Sequence, residues 1–100
     1  MLNSSYFFPE ATLDYHDLGE LTDYDIEQHL NIFLVESHAA GYDKVLIITG
    51  IGIHSVNGPK VRPLVTRLLA ENKLIAQYKQ ASIENGGRGA FEIWLKDKIK

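Results

Sequence analysis

The chain has 100 residues, of which 45% are hydrophobic, 23% are charged and none is cysteine. That is one domain with enough apolar content for a small core, and it excludes disulfides, a thiolate metal site and a cysteine nucleophile. The net charge of −3 is segregated: residues 1–57 hold nine acidic side chains and one basic one, Lys44, whereas residues 58–100 hold nine basic and four acidic, so an acidic chain still offers a local basic face.

Residues 1–10 read as an N-terminal extension whose Tyr6, Phe7 and Phe8 are placed to pack on the edge of a domain spanning 11–100. The opening MLNSSYFFPEATL has no basic residue and no long apolar run, so it does not read as a signal peptide. No segment reaches the roughly 18 apolar residues of a membrane span. The expectation is a cytoplasmic protein with no membrane partner.

The first predicted element is a strand over Thr12–His16. Alternation there puts Asp14 and His16 on one face and Leu13 and Tyr15 on the other. A helix follows over LTDYDIEQHLNIFLVESHAAG. Thr22 is its N-cap, Asp23 and Asp25 lie in the first turn, Leu21 and Ile26 form a hydrophobic staple, and Gly41 closes it. Ile26, Leu30, Phe33 and Leu34 make its apolar stripe, whereas His29 and His38 lie off that stripe and read as surface residues.

Lys44–Thr49 is a continuous apolar run, as expected of a central strand. A second helix starts near residue 60, because Pro63 is tolerated only in a first turn. Asn72 ends it. Strands over 74–81 and 90–96 flank the turn ENGGRG and read as a hairpin, with Trp94 in the core. The order β-α-β-α-β-β predicts an α/β two-layer sandwich with a four-stranded mixed sheet. The first three strands are expected to be parallel with right-handed crossovers, and the expected strand order is 2-1-3-4.

In such sheets ligands bind beyond the carboxyl ends of parallel strands. Two clusters fall there. Asp14 and His16 join a carboxylate to an imidazole that moves protons near neutral pH; an isolated D-x-H pair is a weak signal that reads first as structural or surface residues. The run ITGIGIHSVNG places Thr49, Gly50 and Gly52 at a strand end, followed by His54, Ser55 and Asn57. Its glycines let backbone approach a ligand closely, and the following helix start offers amides beside Lys60 and Arg62 for phosphate. The plain alternative is a tight turn with a helix cap. The run is neither a Walker loop nor a G-x-G-x-x-G fingerprint. Arg88 joins this basic set only if the last turn curls toward the loop, whereas Arg67, Lys73 and Lys79 read as solvated charge.

Together these features resemble the Smr (small MutS-related) domain over roughly Thr12–Lys96. LDYH is similar to that family's L-D-x-H motif and TGIG to its T/H-G-x-G motif. GIGIHS…KVRPLV is similar to a longer loop variant, and GGRGAFEIWL to the last glycine-rich turn and strand. The resemblance implies a fold like the C-terminal domain of a translation initiation factor and a nuclease acting on DNA or RNA. It implies that Asp14 and His16 carry the activity and that Thr49–Gly52 shape the nucleic-acid site. Some members have His where this chain has Thr49, and His54 is then the candidate second imidazole.

The expected function is nucleic-acid binding with phosphodiester cleavage. Asp14, His16 and His54 are the catalytic candidates. Thr49, Gly50, Gly52, Ser55, Lys60, Arg62 and Arg88 are the nucleic-acid-binding ones. No cofactor is expected, with a divalent metal on Asp14, His16 and His54 as a variant. The alternatives are a non-catalytic nucleic-acid or ribosome-associated binding module, and a protein-interaction domain using the acidic first half.

Overall fold

In the computed structural model, which describes residues 7–52 and 56–98, apolar periodicity and local capping place each element. The strands are β1 (Ala11–Asp14), β2 (Lys44–Ile48), β3 (Ile75–Gln80) and β4 (Ala90–Leu95), and the helices are α1 (Asp23–Ala39) and α2 (Val61–Glu71). Short 3-10 turns occupy Tyr15–Asp17, Gly58–Lys60, Ile83–Asn85 and Gly87–Gly89. The α1 start is a reciprocal capping box: Thr22 Oγ1 accepts the Asp25 N–H and Asp25 Oδ2 accepts the Thr22 N–H, each at 3.0 Å. Leu21 and Ile26, the expected staple pair, are both buried. Pro63 falls in the first turn of α2, and Asn72 caps its end.

The expected α/β class and mixed four-stranded sheet are found, but the strand order is β1-β2-β4-β3 rather than 2-1-3-4. β1 pairs with β2 in parallel, and β4 pairs antiparallel with both β2 and β3. β3 therefore runs in the same direction as β1 and β2 but pairs with neither. Burial explains the difference. Five of the six residues of β4 are buried, which needs neighbours on both sides. β1 has four residues and none of them is fully buried, which suits an edge.

Both helices cover one face of the sheet. Ile26, Leu30, Leu34, Val65 and Leu69 pack there on Val45, Ile47, Phe91 and Ile93. The opposite face holds a smaller cluster of Phe7, Leu46, Ala81 and Ala90, with Ile48 and Trp94 packed against it. Phe7 is buried, its ring edge-on to Trp94 at 5.1 Å; of the other two aromatic residues expected to pack there, Phe8 is exposed and Tyr6 lies outside the described residues. Trp94 is half-buried beneath Lys79 Nζ, 5.6 Å from its ring. Among the described residues no helix is long and apolar enough to cross a membrane.

Glu92 stands on this second face and is only 2% exposed. Its Oε2 accepts the Ser82 N–H at 2.9 Å, the Ser82 hydroxyl at 3.0 Å and the Asn85 amide at 3.1 Å. Burial pushes this carboxyl up. The Ser82 and Asn85 hydrogen bonds and the Lys79 charge outweigh burial and hold it below its ordinary 4.5. A folded value below the unfolded one gives stability that is complete above about 4.5 and lost as pH falls through the folded value. Asp25 is also lowered, by its hydrogen bonds to Thr22. Glu92→Gln is therefore expected to reduce, without abolishing, the loss of urea-unfolding stability between about pH 5 and pH 3. An acid-induced loss as large as that of the parent chain would contradict this.

Candidate functional site

β1 stops at Asp14 because the Asp14 side chain caps the next turn, with Oδ1 accepting the His16 N–H at 2.9 Å. The turn sends Tyr15 inward, where its hydroxyl donates to the Ile26 carbonyl at 2.7 Å. Burial raises the Tyr15 phenol far above its ordinary 10.0, so it stays neutral. The same turn leaves His16 exposed. Asp14 and His16 thus do not share a strand face as expected. They are joined through a capped 3-10 turn, and the carboxylate acts on the main chain that carries the imidazole.

The parallel register sets Asp14 beside Ile48, the last residue of β2. The glycine run begins immediately after it. Gly50 has φ +72°, and a Cβ there would lie 3.8 Å from His16 Nδ1, so the imidazole rests against side-chain-free backbone. The carbonyl of Gly89 accepts the N–H groups of both Thr49 and Gly50, at 2.8 and 3.0 Å. Thr49 is buried, and its hydroxyl donates to the Gly50 carbonyl at 2.9 Å and also reaches the Gly89 carbonyl at 3.3 Å. A Cβ on Gly89 would meet the Gly50 Cα at 3.4 Å. His16, Gly50 and Gly89 therefore sit side by side across the ends of β1, β2 and β4, with exposed Arg88 adjoining.

The far arm of the loop is fixed separately. Gly52 has φ +86°, and a Cβ there would fall 2.6 Å from the Pro59 Cα. Asn57 Oδ1 accepts the Leu21 N–H at 2.7 Å, and its Nδ2 donates to the Gly19 carbonyl at 2.8 Å. The loop is thereby pinned to the segment that follows the His16 turn. His54 and Ser55, both predicted site residues, lie outside the described residues.

The basic candidates divide. Arg88 is exposed and immediately precedes Gly89 in the chain. Lys60 Nζ is 3.9 Å from Asp23 Oδ1, and both are exposed, a geometry that contributes little energy. The Arg62 guanidinium lies 4.4 Å from the centre of the Phe91 ring, and its Nη2 donates to Gln80 Oε1 at 3.5 Å. It sits at the same end of the sheet, on the helix side, turned to strand residues. Thr49 and Gly50 spend their amides on the Gly89 carbonyl, so these two are not free for an anion. Among the described residues, which do not include His54, no three His, Asp or Glu side chains come together to hold a metal ion.

Residue-by-residue reading missed two parts of the site. Gly89 appears in sequence only as a turn glycine, although GGRG is the signal that backbone must approach something there. Asn57 was visible in the loop, but which segment its amide would tie down was not.

The Smr domain profile matches residues 16–96 of the chain. The chain belongs to the Smr domain family. The match opens at His16 and takes in both glycine segments of the site. Among solved structures, the Smr domain of Thermus thermophilus MutS2 is similar with TM-score 0.72 and 20% identity, covering 86% of this chain and 98% of that one. YdaL, a stand-alone small MutS-related protein from Escherichia coli, is similar with TM-score 0.76 and 26% identity, covering 94% of this chain and 70% of that one. No curated protein sequence matches.

For this Smr domain the loop geometry sets a ranked expectation. Gly41 and Gly52 both have positive φ, but a Cβ on Gly41 would have open space around it. Gly41→Ala should cost about 1 kcal/mol, the backbone penalty alone, and Gly52→Ala clearly more, because backbone must also move. Chemical denaturation measures both, and equal losses would contradict the packing described at Gly52.

Proposed function

We propose that this Smr domain binds a nucleic-acid strand across the ends of β1, β2 and β4 and cleaves its phosphodiester backbone there. The observation that carries the reading is the seating of the His16 imidazole against Gly50, 3.8 Å from where a Cβ would be. A base that must reach a sugar-phosphate needs an exposed imidazole next to backbone that leaves room.

In this reading His16 removes a proton from a ribose 2′-hydroxyl or from water, and the oxygen so formed attacks phosphorus. The bond from phosphorus to the leaving oxygen breaks, and His54, four residues beyond Gly50, returns a proton to that oxygen. Asp14 positions His16 through the capped turn. Arg88 and Lys60 offset the charge that builds on the phosphate oxygens, Arg62 adds to the positive field at that end of the sheet, and Thr49, Gly50, Gly52 and Ser55 shape the bed. The cytoplasm is the compartment that goes with this reading.

Cleavage of labelled single-stranded RNA and duplex DNA, with and without chelator, tests it. His16→Ala should slow cleavage by about 10²–10⁴-fold, the usual contribution of a general base. A cyclic 2′,3′-phosphate end identifies attack by the ribose hydroxyl. Undiminished cleavage by His16→Ala would overturn the assignment, whereas binding without turnover by the parent chain would leave a binding module.

Binding itself should weaken with salt as counterions return to the phosphates. Arg88→Gln should lower affinity and reduce the slope of log K against log salt by about 1. An unchanged slope would take Arg88 out of the interface.

A further inference from the structure

We propose that Glu92 is a positioning residue of this site. From the face of the sheet opposite the helices, its carboxylate fixes the connection 82–89 and so holds the Gly89 carbonyl against Thr49 and Gly50, with Arg88 beside them. The consequence for nucleic acid rests on the reading above; the structural coupling does not.

Position 92 lies on the inner strand β4, opposite Leu46 on β2 and Lys79 on β3. The neighbouring cluster on that face is Phe7, Leu46, Ala81 and Ala90 with Ile48 and Trp94. That apolar surrounding by itself favours an apolar side chain. A carboxylate is costly to bury unless it is fully compensated. The compensation comes almost entirely from one turn, since the three donors to Oε2 are the Ser82 N–H, the Ser82 hydroxyl and the Asn85 amide. An apolar residue at 92 would leave those three groups without this acceptor.

From that anchor hydrogen bonds, with the Gly86–Gly87 peptide link between them, lead to the glycine run. The Ser82 carbonyl accepts the Asn85 N–H at 3.0 Å and the Gly87 N–H at 2.9 Å, and the Gly86 carbonyl accepts the Gly89 N–H at 3.0 Å. The Gly89 carbonyl then accepts the Thr49 and Gly50 N–H groups. Gly86 and Gly87 have φ of +114° and +53°, a backbone that many turn sequences leave unset and that here is held from both ends. The Asn85 amide that donates to Glu92 also donates to the Phe7 carbonyl at 3.1 Å, so the segment preceding β1 is tied to the same node.

The test is amide hydrogen exchange on the whole chain and on Glu92→Gln and Asn85→Ala, alongside urea unfolding and binding of labelled single-stranded RNA and duplex DNA. Thr49 and Gly50 amides should exchange about tenfold faster relative to those of Val45 and Ile47 in β2. A residue that merely adds stability would speed all four by one common factor. Glu92→Gln should also weaken binding and lower the salt slope as Arg88→Gln does. If Glu92→Gln does not fold, Asn85→Ala carries the exchange comparison. Thr49 and Gly50 keeping pace with Val45 and Ile47 would overturn the coupling. Unchanged nucleic-acid binding in Glu92→Gln, where the parent chain binds, would overturn its functional half. A parent chain that binds neither RNA nor DNA would defeat the nucleic-acid reading alone, and the exchange ratio would still decide the coupling.

Discussion

One carbonyl organises this end of the molecule. The Gly89 oxygen accepts two consecutive N–H groups, from Thr49 and Gly50, and so locks the entrance of β4 to the exit of β2. Gly50 favours glycine through its φ of +72°, and the two backbones come so close that a Cβ on Gly89 would already be in van der Waals contact with the Gly50 Cα, at 3.4 Å. The contact also makes the room into which His16 is seated. A side chain at Gly50 would stand between that backbone and the His16 imidazole, 3.8 Å from Nδ1.

The topology follows from the same junction. β4 can deliver Gly89 to Gly50 only if it runs beside β2, in the centre of the sheet, and that placement sends β3 to the edge. The central position in turn buries β4 on both faces. On one face Phe91, Ile93 and Leu95 meet the helices, and on the other Ala90, Glu92 and Trp94 form the second surface. A charged side chain on that second surface is tolerable only because the turn feeding the junction supplies its donors.

Much of this fold was legible in local chemistry. The capping residue Thr22, the staple pair Leu21 and Ile26, the proline in the first turn of α2 and the apolar run of β2 each act within a few residues, so their signals survive in one sequence. Strand order did not, because it is decided by competition among long-range pairings: both β1 and β4 carry apolar residues, and only the comparison of their buried faces shows which is central. The end of β1 was misjudged for a different reason. Alternation continues through Tyr15 and His16, but a side-chain cap by Asp14 competes with the strand ladder and wins.

The site was legible as residue types rather than as geometry. His16 and the Gly50 turn could be placed together from the rule that parallel strands end at a shared edge. The role of Asp14 could not, since its partner is a backbone N–H two residues away rather than the ring. Arg62 was read by its nearness in sequence to the loop, and Phe91 and Gln80 claim it in space. Gly89 and Glu92 act across 40 and 10 residues of chain respectively, beyond any local pattern.

The most direct measurement is a chemical-shift map of the isotope-labelled chain titrated with a short single-stranded RNA and, separately, a short DNA duplex. Perturbations concentrated on His16, Thr49, Gly50, Arg88 and Gly89, with the outer residues Ile32 and Val35 of α1 unmoved, are the predicted result. Perturbations centred on α1, with His16 and Gly50 silent, would contradict the account.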